Sequence, residues 1–414
     1  MRDLKNLCLI GLMLAVAACA STPEPADDPT GEAKSGTRTI LISIDGFRPD
    51  YLDRGVTPVM SAMAKEGARG VMQPSFPSKT FPNHYTLITG MTPDHHGVIN
   101  NTMEDPLKPG QTFQIWDRKV AEDPDWWEGG SPLWVTAEQQ GVKSATMFWP
   151  GSDYVIHGTR PGIYENFDQK LPDFARVDLV LSWLDQPPAE QPGFMTLYFD
   201  IVDTAGHLYG PESSKTTSAT AQVDASIGRL MDGLEARGLA ETTNIVIVSD
   251  HGMAPIADDR IASLDDLIAP EKVHVVFNGA FIGVMPEPAH KDEVEAALLG
   301  RQDHAECWRK SELPARFGYG THPRVPAIIC LADTGWRYES SGMTVWRNSG
   351  GDHGYDPADP LMHAIFIAHG PAFREGVTLK LFDNTSVYPL LAHLIGVEPV
   401  ANDGNLKDMS RALK

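Results

Sequence analysis

The stretch Thr39-Ile40-Leu41-Ile42-Ser43-Ile44-Asp45-Gly46 decides the fold of this chain. Its first six residues are uncharged and mostly branched aliphatic, which predicts a β-strand buried on both faces, as in a sheet covered by helices. Asp45 and Gly46 mark the end of that strand. Because ligands in open α/β sheets lie beyond the carboxyl ends of the strands, Asp45 is a candidate site residue.

Four further apolar runs alternate with helical stretches along the chain. They lie at 144–148, 194–201, 245–248 and 364–368. One helical stretch spans 216–237, where apolar residues recur at helical spacing and Gly238 follows as a candidate cap. The alternation predicts an α/β fold with a mostly parallel central sheet and helices on both faces.

Asp and His residues follow the predicted strands in four short elements. The elements are Asp45-Gly46, Asp203-Thr204-Ala205-Gly206-His207, Asp250-His251-Gly252 and Gly351-Asp352-His353-Gly354. We expect each to offer ligands from a strand end or from the loop after it. Converging carboxylates repel one another and are costly to desolvate, and a divalent metal relieves that cost. Mixed Asp and His ligands suit zinc and, less specifically, related ions, so the pattern predicts metal binding.

A candidate nucleophile lies in Pro77-Ser78-Lys79-Thr80-Phe81-Pro82-Asn83-His84-Tyr85. Proline is tolerated only in the first turn of a helix, so Thr80 or Phe81 should begin a short helix that ends at Gly90. A bound metal and the positive end of the helix would both favour the alkoxide of Thr80. The same hydroxyl could instead cap the helix, and the segment taken alone favours that interpretation.

These motifs closely resemble the nucleotide pyrophosphatase/phosphodiesterase family of the alkaline phosphatase superfamily. The resemblance rests on 42–48, on 79–84 and on the later Asp-His elements, and it extends from about residue 37 to 400. It implies hydrolysis of nucleotide phosphodiester and pyrophosphate bonds, for example ATP to AMP and pyrophosphate. The implied reaction passes through a nucleotidyl-threonine intermediate on Thr80.

The resemblance also implies two zinc ions, with other divalent metals as alternatives. One ion would be held by Asp45, Thr80, Asp250 and His251, and the other by Asp203, His207 and His353. Asn101 matches the family residue that contacts a phosphate oxygen beside the nucleophile. Without the resemblance, Asn101 would be interpreted as a turn residue.

Four aromatic and acidic positions are candidate contacts to the nucleotide. Phe81 and Tyr198 match family aromatics that sandwich the base, and stacking of this kind tolerates any base. The segment from Trp149 to Asp153 resembles the family segment that lines the nucleoside side of the pocket. Core packing is the alternative role for each aromatic side chain.

Three other functions are compatible with parts of this pattern. A choline or lipid phosphodiesterase of the same family would need an anionic or aromatic cage for a quaternary ammonium group. A phosphomonoesterase or phosphomutase of the superfamily would need an arginine to clamp the phosphate, and a catalytically silent binding protein would need no nucleophile. The formal charge of -21 disfavours nucleic acid polymers and anionic membrane surfaces as partners. The resemblance implies a nucleotide or another small-molecule phosphodiester as the substrate.

The amino-terminal residues resemble an export signal. Arg2 and Lys5 precede an apolar run at 7–18, which at about 12 residues is too short to span a membrane but fits a signal-peptide core. The run Val16-Ala17-Ala18-Cys19 resembles a bacterial lipoprotein box, although an ordinary signal peptide is an alternative. We expect a signal peptide at 1–18, a lipid on Cys19, a disordered tether at 19–36 and a catalytic domain at 37–414, located in the periplasm or at the outer membrane.

The segment at about 273–333 breaks the regular alternation and is rich in proline. We interpret it as a smaller inserted or lid-like subregion. It contains Cys307 and, near its end, Cys330. An oxidising compartment would permit these cysteines to pair, and two buried thiols are the alternative.

Overall fold

The computed structural model describes residues 37–341, 343 and 350–414. The expected signal peptide, Cys19 and the expected tether lie outside the described residues, so they stay predictions. Within the described part of the chain, no helix is long and apolar enough to cross a membrane.

Strands and helices alternate through the described residues. The strands are β1 (Arg38–Ile44), β2 (Ala68–Gln73), β3 (Thr102–Glu104), β4 (Thr112–Gln114), β5 (Ser144–Met147), β6 (Ile163–Tyr164), β7 (Phe194–Phe199), β8 (Thr243–Val248), β9 (Ala254–Pro255), β10 (Ile261–Ser263), β11 (Val273–Phe277), β12 (Phe281–Pro286), β13 (Gly300–Arg301), β14 (Ala305–Arg309), β15 (Ile328–Ala332), β16 (Arg337–Glu339), β17 (Gly351–Asp352), β18 (Ala364–His369), β19 (Val377–Thr378) and β20 (Phe382–Asp383). The α-helices are α1 (Pro58–Glu66), α2 (Thr80–Thr89), α3 (Pro93–His96), α4 (Arg118–Ala121), α5 (Leu133–Gln139), α6 (Asp173–Trp183), α7 (Ile201–Tyr209), α8 (Ser214–Ala236), α9 (Lys291–Leu298) and α10 (Val387–Ile395).

The central sheet has nine strands in the order β19-β2-β18-β8-β1-β7-β5-β6, with β20 also paired to β2. β1 pairs in parallel with both β7 and β8. β18 is antiparallel to both of its neighbours, β8 and β2, so it alone runs against the other strands of this sheet. All five predicted apolar runs lie in this sheet, and the predicted mostly parallel α/β fold is confirmed.

Helices cover both faces of the sheet, and both faces of β1 are buried and uncharged from Thr39 to Ile44. Leu41 packs with buried residues of α2, α5 and α10 on one side. Ile40, Ile42 and Ile44 pack with buried residues of α1, α6 and α8 on the other. β1 therefore lies between two cores, one on each face of the sheet, and Asp45 directly follows its carboxyl end.

Two elements have other bounds than the sequence predicted. The predicted helix at 216–237 is α8, which begins two residues earlier because Ser213 accepts a hydrogen bond from the Thr216 N–H at 3.1 Å. The predicted run at 194–201 is shorter, since β7 ends at Phe199 and α7 begins at Ile201. Asp203 and His207 therefore lie on a helix and not on a strand end or loop. Their spacing of four residues places them on one face of α7.

The chain from β11 to β15 forms a second, antiparallel sheet in the order β11-β12-β15-β14-β13. Cys307 and Cys330 occupy directly opposed positions on β14 and β15 and are joined by a disulfide. This sheet contacts the segment before α2 through aromatic rings. The ring of Phe76 stacks on Phe317 at 4.1 Å and meets Phe281 edge-on at 5.0 Å. The second sheet thereby supports the residues that lead into Thr80.

We expect His96 to make the fold less stable in acid. Its buried ring makes two hydrogen bonds that require the neutral form. Nε2–H donates to the Pro82 carbonyl at 3.2 Å, and Nδ1 accepts from the Val98 N–H at 3.1 Å. Burial lowers the pKa of His96 from 6.5 to about 3. As pH falls below 6.5 the unfolded chain binds this proton and the folded chain does not, so the free energy of unfolding decreases by up to about 1.4 kcal/mol per pH unit from this group.

Urea unfolding between pH 7.5 and pH 5 measures this effect. The His96→Gln variant should lose less of its unfolding free energy across that range than the parent protein. Equal losses in both proteins would contradict the role given to His96.

Candidate metal centre and active site

The four Asp-His elements meet at the carboxyl edge of the central sheet. Asp45 directly follows β1, and the Asp250-His251 pair follows β8 after one intervening residue, Ser249. The first two turns of α7 present Asp203 and His207, and β17 is followed at once by His353. Asp250 and His251 are fully buried, and Asp45 is nearly so. Residues separated by more than 300 positions in sequence thus share one site.

The first cluster contains Asp45, Asp250 and His251, whose ligand atoms lie within 4.8 Å of one another. His251 Nε2 lies 3.0 Å from an oxygen of Asp250 and 3.6 Å from an oxygen of Asp45. Two ligand atoms on one tetrahedral zinc are separated by about 3.3 Å, given bonds of about 2.0 Å. The spacing of this cluster therefore fits a shared metal ion.

The second cluster forms around Asp203. Its carboxylate oxygens lie 3.5 Å from His207 Nε2 and 3.8 Å from His353 Nε2. The rings of His251 and His353 stack with centroids 3.6 Å apart, so the two clusters are adjacent. The structure thus brings together every Asp and His that the sequence predicted as a ligand.

The three histidine rings are oriented in the same way. In each, the Nδ1–H donates to a backbone carbonyl, and Nε2 faces the carboxylates. The carbonyl acceptors are those of Gly351 for His207 at 2.8 Å, Gly252 for His251 at 2.9 Å and Ser78 for His353 at 2.8 Å. Histidines that bind metals through one ring nitrogen almost always donate the other N–H in this manner, which fixes the tautomer.

One oxygen of each carboxylate has no hydrogen-bond donor among the described residues. The atoms are Oδ1 of Asp45, Oδ1 of Asp203 and Oδ2 of Asp250. Burial raises the pKa of Asp45 well above its usual range, and the neighbouring Asp250 and Asp203 raise it further. Burial raises the pKa of Asp203 as well. Burial alone would raise the pKa of Asp250, but His251 and His84 hold it well below its usual value. A bound cation would let Asp45 and Asp203 ionise as well, so the donor set fits a metal ion.

Asp352 lies close enough to His207 and His353 to be considered a ligand. However, its carboxylate already contacts two cations: Lys79 Nζ at 3.5 Å and Arg337 Nε at 2.9 Å. Burial alone would raise the pKa of Asp352, but Lys79 and Arg337 hold it below its usual value. Asp352 is thus neutralised by side chains, whereas Asp203 is not.

Thr80 is the first residue of α2, as the position of Pro82 predicted. Its hydroxyl makes no capping hydrogen bond. The N-cap is Lys79, and Thr80 Oγ1 lies instead 3.2 Å from His251 Nε2. The hydroxyl therefore faces the first cluster from the positive end of a helix, which favours its deprotonation.

Asn101 lies beside Thr80. Its Oδ1 accepts a hydrogen bond from the Phe81 N–H at 2.9 Å. This contact satisfies one of the free N–H groups in the first turn of α2 and fixes the orientation of the amide. The Nδ2 group is consequently the donor that Asn101 offers to the site.

The aromatic residues beside the site have different roles in the structure. Phe81 is partly exposed and packs against Phe113, with ring centroids 6.2 Å apart. Tyr198 is only 8% exposed, and its hydroxyl donates to Asp45 at 2.6 Å. Phe167 is 52% exposed and its ring lies 6.1 Å from that of Tyr198. Phe167 therefore offers an exposed aromatic surface beside Tyr198, and it is a residue that the sequence motifs did not indicate.

Trp149 and Asp153 are both largely buried. Trp149 donates from Nε1 to the carbonyl of His84 at 3.0 Å, which is the packing alternative considered for it. The carboxylate of Asp153 is paired with Arg118, whose second amino group donates to Asn166 at 2.8 Å. The Asp153 contact thus ties the segment 149–153 to the residues that carry Phe167, and the Trp149 contact ties it to α2.

His84 and Gly46 support the site from behind. The Nδ1–H of the buried His84 donates to the Thr80 carbonyl at 2.9 Å, and its Nε2 accepts from the Ser43 hydroxyl at 2.8 Å, so the ring ties the first turn of α2 to β1. Gly46 has φ +68, and a Cβ there would lie 3.1 Å from atoms of Asp203. Glycine at this turn allows β1 and α7 to approach each other. The Asp-Gly sequence was the only signal of this close approach.

The fold and the site together define an alkaline phosphatase-like α/β enzyme. Human ectonucleotide pyrophosphatase/phosphodiesterase 5 superposes with a TM-score of 0.86 at 32% identity, over 91% of this chain and 99% of that one. The family described as type I phosphodiesterase/nucleotide pyrophosphatase matches residues 39–356. The chain belongs to that family.

Relatives from distant organisms share this similarity. Rat ectonucleotide pyrophosphatase/phosphodiesterase family member 3 is 35% identical over 410 residues, which is 96% of this chain and 46% of the rat protein. An uncharacterised pyrophosphatase/phosphodiesterase of Schizosaccharomyces pombe is 36% identical over 381 residues, covering 88% of this chain and 78% of its own length. This chain thus spans about half the length of the rat relative. An inactive variant of murine ectonucleotide pyrophosphatase/phosphodiesterase 5, at 31% identity and TM-score 0.86 over 91% of this chain and 100% of that one, was solved in complex with AMP.

Proposed function

We propose that this chain hydrolyses nucleotide phosphodiester and pyrophosphate bonds, including ATP to AMP and pyrophosphate. The observation that carries the proposal is the convergence of three imidazole Nε2 atoms and three unpaired carboxylate oxygens beside the Thr80 hydroxyl. The AMP complex of the murine relative supports a nucleotide as the substrate.

Two zinc ions fit the two clusters, although related divalent ions would suit the same donors. Asp45, Asp250, His251 and Thr80 would hold one ion, and Asp203, His207 and His353 the other. Bound there, the ions would supply positive charge for the phosphoryl oxygens and lower the pKa of the threonine hydroxyl.

Thr80 acts as the nucleophile in the proposed reaction. Its Oγ1 attacks the phosphorus, its proton passes to solvent, and the bond from phosphorus to the leaving oxygen breaks. With ATP the leaving group is pyrophosphate, and AMP is esterified to Thr80. Water then cleaves the ester, which releases AMP and restores the hydroxyl.

We propose that the base binds between Phe81 and Phe167, with Tyr198 at the floor of the pocket. The sequence resemblance assigned the second face to Tyr198, but its hydroxyl holds Asp45 and little of its ring is open. Phe81 adjoins the nucleophile, and Phe167 lies against the ring of Tyr198. Asp153 then acts through Arg118 and Asn166 by fixing the wall that carries Phe167, and Trp149 acts by packing on α2.

The Phe167→Ala variant should raise KM for a nucleotide ester by about 5-fold to 150-fold, since a stacked base is worth about 1–3 kcal/mol. The KM for bis-nitrophenyl phosphate, which has no base, should change much less. Phe174→Ala is a matched control, because Phe174 is 47% exposed and lies on α6. Parallel changes in KM for both substrates would argue against stacking on Phe167.

One incubation separates the proposed activity from its alternatives. Purified zinc-loaded protein is mixed with ATP, a dinucleotide, glycerophosphocholine and nitrophenyl phosphate, and products are identified by mass spectrometry. We expect AMP and pyrophosphate from ATP. Faster release of choline or phosphocholine would identify a lipid-type phosphodiesterase, and phosphate release from the monoester at an equal rate would identify a monoesterase. No turnover of any substrate would indicate a binding protein.

We also propose that the protein is exported and held at the periplasmic or outer membrane surface by a lipid on Cys19. The sequence at 16–19 supports this location. The Cys307–Cys330 disulfide is compatible with it, since disulfides persist in oxidising compartments. Palmitate labelling of the whole protein that is lost in Cys19→Ser would support the anchor, and unchanged labelling would refute it.

A further inference from the structure

A buried group of charges lies directly behind the nucleophile helix. Lys79, Asp352 and Arg337 form it, and their side chains are 14%, 7% and 8% exposed. Lys79 contacts Asp352 at 3.5 Å, and Arg337 contacts the other carboxylate oxygen at 2.9 Å. Arg337 also lies 3.8 Å from a carboxylate oxygen of Glu339, so two cations and two carboxylates are joined in one network and the group is more than a simple ion pair.

Lys79 also contacts the chain that carries His353. Its Nζ donates to the His353 carbonyl at 2.7 Å, while the His353 N–H donates to Asp352 Oδ1 at 2.8 Å. Contacts in the reverse direction complete the connection. His353 Nδ1–H donates to the Ser78 carbonyl at 2.8 Å, and the Ser78 hydroxyl donates to the Tyr355 carbonyl at 3.0 Å. Residues 78–79 and 352–355 are therefore held together by hydrogen bonds in which each segment donates to the other.

Gly354 provides the space for this arrangement. A Cβ at position 354 would lie 2.5 Å from Cε of Lys79, and φ of Gly354 is +107. A side chain would therefore displace the Lys79 stem as well as strain the backbone. The Lys79 side chain therefore crosses the chain at Gly354, where the absence of a side chain leaves room for it.

We propose that Lys79 is a positioning residue, which through Asp352 and the His353 carbonyl sets the position of the His353 imidazole relative to Thr80. This inference rests on the proposed function, in which His353 binds the second zinc and Thr80 is the nucleophile. Lys79 immediately precedes Thr80, so movement of one is transmitted to the other. Loss of the ammonium would leave Asp352 with Arg337 alone and remove a donor from the backbone of a metal ligand. Partners of this kind typically change metal affinity or activity by about 10-fold to 100-fold.

The test uses Lys79→Met with Lys108→Met as its control. Lys108 is matched in burial, also 14% exposed, and is paired with Asp123 and Asp125. Zinc affinity is measured by chelator competition and stoichiometry by elemental analysis, and kcat and KM are measured with a nucleotide ester. We expect Lys79→Met to bind one of its two zinc ions about 10-fold to 100-fold more weakly, with reduced kcat and little change in KM. Lys108→Met should match the parent in all four quantities.

Unchanged zinc affinity in a folded Lys79→Met protein would overturn the positioning role. If that variant does not fold, Asp352→Asn serves instead, because it keeps the side-chain shape and removes the charge. The double variant decides whether the two residues act together, since its loss of affinity should be no greater than that of the more affected single variant. Additive losses would mean that Lys79 does not act through Asp352. If the parent protein does not bind two zinc ions, the proposed function is wrong. That result is distinct from an unchanged zinc affinity in Lys79→Met, which would refute only the positioning role.

Discussion

Replacing Thr80 by alanine should reduce kcat by at least about 10³-fold and remove the covalent adduct. The hydroxyl makes no capping contact, and it lies 3.2 Å from His251 Nε2 at the start of α2. Its removal should therefore affect chemistry far more than stability. Rapid quenching with labelled nucleotide, followed by mass spectrometry of the peptide that contains residue 80, measures the adduct directly.

The Thr80→Ser variant is the matched control, since it keeps a hydroxyl and removes a methyl group. It should retain the adduct and much of the turnover. Substantial activity in Thr80→Ala, with no adduct, would instead mean that water attacks the phosphorus directly.

Asn101→Ala should lower kcat by about 10²-fold to 10³-fold, as expected for loss of one donor to an oxygen that gains charge in the transition state. The direction of its amide is fixed, because Oδ1 accepts from the Phe81 N–H at 2.9 Å. Nδ2 is then placed to donate to a phosphoryl oxygen. Steady-state kinetics with a nucleotide ester gives the change in kcat.

The Asn101→Asp variant distinguishes a donor from a structural residue. Aspartate keeps an acceptor for the Phe81 N–H but has no N–H to donate. If Asn101 only terminates a turn and supports α2, the aspartate variant should be nearly as active as the parent protein. A loss as large as that of Asn101→Ala would support the role as a donor.

Much of the fold was predictable from the sequence because its central strands are uniform in character. The β1 strand is uncharged and mostly aliphatic from Thr39 to Ile44, so its burial in a covered sheet needed no knowledge of its neighbours. Pro82 and Gly90 likewise set the two ends of α2 by local chemistry. The reversed direction of β18 was not predictable, since an apolar run has the same composition in either direction.

The ligand residues were predictable as a set, but their surroundings were not. The Asp-His elements carry their own chemical signal, whereas the carbonyl that holds each imidazole is present at every residue. Phe167 lies outside every motif and became a candidate only because it is exposed beside Tyr198. The helical position of Asp203 was missed because a run of apolar residues continues from β7 into α7.

The anchoring of the three imidazoles by backbone carbonyls has a consequence for how the protein would acquire its metal. Rotational freedom of these rings is removed when the chain folds, so little ordering entropy is left to oppose binding. A zinc finger, by contrast, must fold around its ion. Loading of this site would be governed by ion supply and ligand exchange, and the folded protein could lose and regain its ions as a rigid receptor.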